Sequence, residues 1–274
     1  MGGMDASPLV RTEMPAPSFV MSEEGYQLAT YAWGDPDAEP VLCVHGFASS
    51  CRDNWVETGW VRDLTRAGYR VIGVDQRGHG ASDKPHDPHA YSMDSFVADL
   101  VVVLDTYLVG ETRYLGYSLG ARVGWQLAVD HPEHVRRAVL GGIPDGRPLA
   151  RLQIDQARAY AEQGIPVEDP VTQNYVTLAE RVQTNDLRAL VALAEGMRLG
   201  DADPDPARPP VQPVLFATGS EDAILPRSRA LAAKAPNGTF EEIPGRHHFN
   251  TPGSRVFRQT ALPFLAGTAP SADA

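Results

Sequence analysis

One stretch of the chain decides how it folds: Arg113-Tyr114-Leu115-Gly116-Tyr117-Ser118-Leu119-Gly120. An apolar strand pattern runs into a Gly-x-Ser-x-Gly turn, and an amphipathic helix pattern follows. A serine at a strand–turn–helix junction sits on a strained backbone that exposes its hydroxyl. The flanking glycines, Gly116 and Gly120, leave out side chains that would collide with the neighbouring strand and helix. Because so short a pattern can arise by chance, the surrounding sequence must support it.

Strand and helix patterns alternate on both sides of this turn. Strands are predicted at 18–21, 27–33, 41–44, 70–75, 113–116, 137–143, 214–218 and 239–243. Helices are predicted at 55–67, 92–108, 119–129, 149–163, 169–182, 187–199, 226–235 and 254–265. The alternation predicts an α/β fold with a mostly parallel eight-stranded sheet and helices on both faces.

The alternation stops between residues 145 and 210, where only helix patterns occur. We therefore predict a core made of 18–144 and 211–266, with a small helical cap inserted at 145–210. Segments 1–17 and 267–274 lack the apolar periodicity of packed elements and are predicted to be flexible tails.

Composition limits the classes of function. The chain has 274 residues, 43% of them hydrophobic, and a net charge of −11. Neither a basic patch nor an apolar run of membrane-spanning length is present, so neither nucleic acid nor a membrane is expected as a partner. With no signal-peptide pattern, we expect a cytoplasmic protein. Cys43 is expected to be a buried apolar residue and Cys51 a partly exposed loop residue.

Cofactor and metal patterns are also missing from the sequence. No glycine-rich segment fits a nucleotide or dinucleotide fingerprint, so no cofactor is expected. His86 and His89 have the spacing of a ligand pair but lie in a proline-rich loop, and His131 and His134 border a helix end. We interpret these four histidines as solvated residues and expect no metal site.

A serine hydroxyl becomes a useful nucleophile only when a base takes its proton and an acid orients that base. Glu221 and Asp222 follow one predicted strand after Ser118, and His247 and His248 follow the last strand. The order serine, acid, histidine suits a parallel sheet whose strand ends meet at one edge. Asp145, after an earlier strand, is a further candidate acid.

Five motifs in this order resemble the α/β-hydrolase fold family, in the branch of small esterases, non-haem haloperoxidase-like hydrolases and epoxide-hydrolase relatives. They are His45-Gly46-Phe47, the segment 75–83, the Ser118 turn, Asp222 with Ile224 and Pro226, and His248-Phe249. The resemblance implies that Asp222 is the acid and His248 the base. It also implies that the N–H groups of Phe47 and Leu119 form an oxyanion hole and that His45 braces their loop.

The residue at the turn separates branches of this family. Epoxide hydrolases and haloalkane dehalogenases of this fold carry aspartate there, whereas this chain has Ser118. The resemblance therefore implies acyl chemistry, and we expect a serine carboxylesterase acting on small or medium acyl esters. A lactonase, carbon–carbon bond hydrolase, perhydrolase or acyltransferase would use the same residues, and a non-catalytic small-molecule receptor is an alternative of another class.

The cap is expected to supply the substrate pocket, since its helices follow the predicted strand ends. The candidate substrate-binding residues are Tyr160, Tyr175, Leu190, Leu193 and Met197. The expected partner is a small-molecule ester, and the sequence leaves the oligomeric state open.

Overall fold

The computed structural model describes residues 12–143, 148–200 and 203–268. Within these residues eight strands form one sheet. They are β1 (Ser18–Met21), β2 (Gln27–Trp33), β3 (Pro40–Val44), β4 (Arg70–Val74), β5 (Thr112–Tyr117), β6 (Val135–Gly141), β7 (Val214–Gly219) and β8 (Gly238–Ile243).

The strand order is β1-β2-β4-β3-β5-β6-β7-β8. β2 pairs antiparallel with both β1 and β4, and every other neighbouring pair is parallel. All six residues of β5 are buried, as expected of a strand covered on both faces. Because the parallel strands point the same way, the loops that follow β3, β5, β7 and β8 meet at one edge of the sheet.

Eight α-helices lie in the described part of the chain. They are α1 (Trp60–Arg66), α2 (Met93–Thr106), α3 (Leu119–Asp130), α4 (Ile154–Gln163), α5 (Pro170–Glu180), α6 (Leu187–Leu199), α7 (Leu225–Ala232) and α8 (Arg255–Ala266). The helices are divided between the two faces of the sheet, as two neighbouring residues of β3 show. Leu42 packs in the same cluster as α2 and α3, while Val41 packs in the cluster of α1 and α8. Helices therefore cover both faces, as predicted.

Two of the predicted helices are each divided in the structure. The helix expected at 55–67 consists of a short π-helix (Arg52–Val56) and α1, separated by Gly59 at φ +84°. The helix expected at 149–163 begins as a 3₁₀ turn (Pro148–Arg151), and α4 follows it. The Arg198 guanidinium donates to the carbonyls of Leu149 and Leu152, at the place where the 3₁₀ turn ends and α4 has not yet begun.

The predicted cap segment contains α4, α5 and α6, which pack against one another. Asp145 and most residues of the predicted tails lie outside the described residues. At the N-terminal side, the Trp33 indole donates to the carbonyl of Glu13, and Met14 packs against the core cluster that contains α8.

Both cysteines are buried, which corrects the expectation of a partly exposed Cys51. Its side chain lies so close to β4 that a Cβ added at Gly73 would be 2.2 Å from the sulfur. Burial raises the pKa of both thiols, so they are held in the unreactive protonated form.

Candidate active site

The turn after β5 holds Ser118 in a backbone conformation that serine rarely adopts, with φ +52° and ψ −112°. Its own N–H donates to the Gly141 carbonyl at 2.8 Å. The neighbouring glycines are required by close backbone contacts. A Cβ at Gly116 would lie 2.5 Å from the Gly120 carbonyl oxygen, and one at Gly120 would lie 2.1 Å from the Val44 carbonyl oxygen. Such contacts force the hydroxyl outward at the edge of the sheet.

Three side chains at this edge form a chain of hydrogen bonds. The Ser118 Oγ lies 2.9 Å from His248 Nε2, and His248 Nδ1 lies 2.7 Å from Asp222 Oδ2. The Asp222 side chain is only 3% exposed and that of His248 is 25% exposed. The second carboxylate oxygen of Asp222 accepts the Ile224 N–H at 3.1 Å, which fixes the carboxylate plane. A base that can take the serine proton is thereby held in place.

The neighbouring candidates occupy different positions. Glu221 is exposed, and its backbone N–H donates to the carbonyl of Arg246. His247 is exposed, and its Nδ1 accepts the N–H of Phe249 at 3.3 Å. The structure therefore brings Asp222 and His248, rather than Glu221 and His247, to Ser118. Asp145 lies outside the described residues.

Two residues beside Ser118 carry backbone N–H groups of interest. Phe47 belongs to the loop after β3, and Leu119 is the first residue of α3; both line the cavity next to Ser118. Neither N–H has a hydrogen-bond acceptor among the described residues. The loop approaches closely at Gly46, where an added Cβ would be 3.2 Å from the Cβ of Ser118. Two such free donors can stabilise negative charge on an oxygen bound between them.

Two fully buried histidines hold the Phe47 loop in position. His45 Nε2 accepts the Gln76 N–H at 3.1 Å, and His79 Nε2 accepts the Ala48 N–H at 3.0 Å. Both rings must therefore carry their proton on Nδ1, which faces a backbone carbonyl in each case. Burial lowers the pKa of both histidines, so each remains neutral near pH 7. The predicted bracing role of His45 agrees with these contacts.

A cavity of about 690 Å³ opens over Ser118 and is lined by residues of the predicted core and of the predicted cap segment, 145–210, which is called the cap below. We call it the Ser118 cavity. The cap contributes Tyr175 and Leu178 from α5, Val182 beyond it and Leu149 before α4. The Tyr175 ring packs edge-on against Phe47, with ring centres 6.2 Å apart.

Of the five predicted substrate-binding residues, only Tyr175 lines this cavity. Leu193 and Met197 belong to the main core cluster, because α6 turns its apolar face inward. Leu190 packs with Ala48 and Ala179 in a small cluster beneath the cap. Tyr160 donates its hydroxyl to Glu180 at 2.6 Å. The structure thus places these four side chains away from the lining of the Ser118 cavity, three of them in apolar clusters and Tyr160 in a hydrogen bond between α4 and α5.

Leu178 and Val182 were missed, although a signal for them exists in the sequence. Together with Tyr175 they recur at intervals of three and four residues, which places all three on one side of a helix. Asn54 and Thr58 also line the cavity. Asn54 lies in the π-helix and Thr58 between this helix and α1, and the sequence carries no comparable signal for either residue.

A possible group of metal ligands lies elsewhere. In the described part of the chain, the donor atoms of His131, Glu133 and His134 lie within 4.8 Å of one another. They precede β6, at the edge of the sheet opposite Ser118. His134 Nδ1 is hydrogen bonded to the Gly110 carbonyl at 2.8 Å.

Among residues 12–143, 148–200 and 203–268, none of the helices has the length and apolarity needed to span a bilayer.

Comparison with known proteins identifies the family. A family model described as the alpha/beta hydrolase fold matches residues 39–162. A putative carbamate hydrolase, RutD, of Variovorax paradoxus (strain S110) is 30% identical over 261 residues, which cover 85% of this chain and 94% of the relative. The chain belongs to the α/β-hydrolase fold family. The predicted resemblance and fold class are both confirmed.

Other similarities within the α/β-hydrolase family extend over most of the chain. The rhodomycin D methylesterase DnrP of Streptomyces peucetius is 29% identical over 235 residues, covering 85% of this chain and 73% of the relative. The crystal structure of an enol-lactonase from Burkholderia xenovorans LB400 superposes with a TM-score of 0.74 at 21% identity, covering 91% of this chain and 100% of the other. The latter similarity shows the fold alone. Family membership supports a hydrolase activity for this protein.

Proposed function

We propose that this protein is a serine carboxylesterase that cleaves esters of small to medium acyl compounds through an acyl-enzyme. The proposal depends on one observation: the hydrogen-bonded chain Asp222–His248–Ser118 opens into a cavity beside two backbone N–H groups that have no acceptor in the described part of the chain. Hydrogen-bond lengths of 2.7 and 2.9 Å suit transfer of a proton from serine to histidine.

The reaction takes place in two halves. Ser118 Oγ attacks the ester carbonyl while His248 Nε2 takes its proton, and Asp222 stabilises the resulting imidazolium. The N–H groups of Phe47 and Leu119 bind the carbonyl oxygen as it becomes negative. His248 then gives the proton to the leaving alcohol. In the second half, His248 activates a water molecule, which attacks the acyl-enzyme and releases the acid.

Ester chemistry is favoured by the residue at the turn and by the relatives. A serine nucleophile forms an acyl-enzyme from a carbonyl substrate, whereas the family resemblance associates epoxide opening with an aspartate at this position. The names of two relatives that align with most of the chain, a methylesterase and a putative carbamate hydrolase, refer to carbonyl compounds. A cavity of about 690 Å³ suits a small molecule.

The decisive experiment compares two serines of the same cavity. We expect Ser118→Ala to abolish hydrolysis of p-nitrophenyl butyrate and labelling by a fluorophosphonate probe, because the nucleophile is gone. Ser49 also lines the cavity but belongs to the loop after β3, and Ser49→Ala should keep both activities. Full ester hydrolysis by Ser118→Ala would refute the proposal. If Ser118→Ala is inactive as expected, the wild type would be assayed with a panel of esters, lactones and substrates that are cleaved at a carbon–carbon bond. Their relative rates of hydrolysis would show which class of acyl compound the protein prefers.

A further inference from the structure

The charged residues lining the Ser118 cavity are unusual for this chain. Acidic residues outnumber basic ones, 35 to 24, in the whole sequence. In the described lining of the cavity the balance is reversed, with four arginines and two aspartates: Arg122, Arg151, Arg181, Arg246, Asp53 and Asp222. Both aspartates are already engaged, Asp53 with the Ser50 hydroxyl and Asp222 with His248. The cavity therefore has an excess of positive charge.

Three of these arginines approach the cavity from separate elements. Arg151 ends the 3₁₀ turn before α4, Arg181 follows the end of α5, and Arg246 lies two residues before His248. Within the described residues, none of the three forms an ion pair with a carboxylate. Arg122 differs, because it is buried in α3 and pairs with Asp203 at 3.2 Å. The first three guanidinium groups are thus available to a bound anion.

A neutral donor also lines the Ser118 cavity. The Tyr175 hydroxyl has no hydrogen-bond partner among the described residues. Burial raises the pKa of the Tyr175 phenol, while the Arg151 guanidinium opposes that rise and the Asp222 carboxylate adds to it. The phenol is therefore protonated near pH 7 and lies within electrostatic reach of both Arg151 and Asp222. A hydroxyl and a guanidinium that line the same cavity provide donors of the kind that a carboxylate requires.

We propose that Arg151, Arg181 and Arg246 form an anion subsite of the Ser118 cavity, and that the preferred substrate is an ester that also carries a carboxylate. This inference rests on the proposed esterase function and specifies its substrate class. A planar guanidinium binds a carboxylate through two parallel hydrogen bonds, which a neutral ester cannot accept as strongly. Arginines at the rim also attract an anionic substrate during its approach, and salt weakens that attraction.

Two esters of matched length test the proposal. We would compare the p-nitrophenyl monoester of glutaric acid, which is anionic at pH 7, with p-nitrophenyl pentanoate, which is neutral. We expect kcat/KM to be about tenfold or more higher for the anionic ester at low salt, from at least one charge-assisted hydrogen bond. The ratio should fall towards one in 1 M NaCl, where the screening length is about 3 Å.

Arginine variants assign the preference to the subsite. Single changes of Arg151, Arg181 and Arg246 to Gln should each lower the ratio severalfold, mainly through KM, and the triple variant should bring it close to one. Taking the ratio within each variant cancels any general change in activity. Arg188→Gln is the matched control, because Arg188 is an exposed arginine of the cap that does not line the Ser118 cavity. It should keep the wild-type ratio.

The two proposals can fail separately. Equal kcat/KM for the two esters in the wild type, or a ratio that the triple variant leaves unchanged, would overturn the anion subsite while leaving the esterase intact. If neither ester were hydrolysed by the wild type, the esterase function itself would be refuted, and the substrate class inferred from it would be withdrawn.

Discussion

Replacing Asp222 by Asn tests how the hydrogen-bonded chain would work. In the native protein Asp222 Oδ2 accepts from His248 Nδ1 at 2.7 Å, which leaves Nε2 free to receive the Ser118 proton. The other oxygen accepts the Ile224 N–H. An asparagine that keeps this second bond must turn its NH₂ towards Nδ1. The imidazole proton then moves to Nε2, which can no longer act as the base.

The expected loss follows from that change of tautomer. The corresponding exchange in a Ser-His-Asp triad lowers kcat by about 10⁴-fold, which corresponds to about 5.4 kcal/mol of transition-state free energy. The side chains have nearly equal volume, and the buried site keeps its Ile224 contact, so we expect Asp222→Asn to fold as the wild type does. Circular dichroism and thermal unfolding would check this.

The assay is steady-state hydrolysis of p-nitrophenyl butyrate at pH 7.5. Glu221→Gln is the matched control, because Glu221 is exposed in the adjacent position and only its backbone is tied to Arg246. It should stay within about twofold of the wild type, as surface changes usually do. If Asp222→Asn kept more than a tenth of the wild-type kcat while Glu221→Gln or Asp145→Asn lost most of it, the assignment of the acid would be wrong.

Three further predictions concern the framework. Gly120→Ala places a Cβ 2.1 Å from a backbone oxygen and should lower the free energy of unfolding, measured in urea, by about 3 kcal/mol. Gly110→Ala is the control: its added Cβ meets nothing within 4 Å, so the free energy of unfolding should change little. Burial holds the pKa of His79 below that of a histidine in the unfolded chain. The contribution of His79 to the unfolding free energy is therefore complete above about pH 6.5 and decreases at lower pH, because the unfolded chain binds the proton. His79→Gln should reduce the dependence of the unfolding free energy on pH between pH 6.5 and 5 by up to about 1.4 kcal/mol per pH unit. Cys43 and Cys51 should react with a disulfide thiol reagent only after unfolding, and a fast reaction in the native protein would contradict their burial.

The sequence alone was sufficient for the fold class and for the position of the serine turn. Patterns such as Gly-x-Ser-x-Gly are local. The glycines at 116 and 120 are needed because a Cβ added at either position would lie within 3 Å of backbone atoms a few residues away or on the adjacent strand. Apolar runs and helical spacing report burial, and burial of strands on both faces implies helices on both sides. The turn pattern, the apolar runs and the helical spacing all depend on residues that are close to one another in the chain.

The tertiary structure decided which residues of the cap surround Ser118. Helical periodicity shows that α6 has an apolar face, but not what covers it, so Leu193 and Met197 were assigned to the pocket although they pack in the core. For the acid, the residues alone left both Glu221 and Asp222 open and the resemblance implied Asp222; the contact with His248, which follows a different strand, exists only in the folded chain. Spacing identifies the face of a helix, whereas the direction of that face depends on contacts between segments far apart in sequence. The positive charge of the Ser118 cavity arises in the same way, since Arg151, Arg181 and Arg246 meet only in the folded chain.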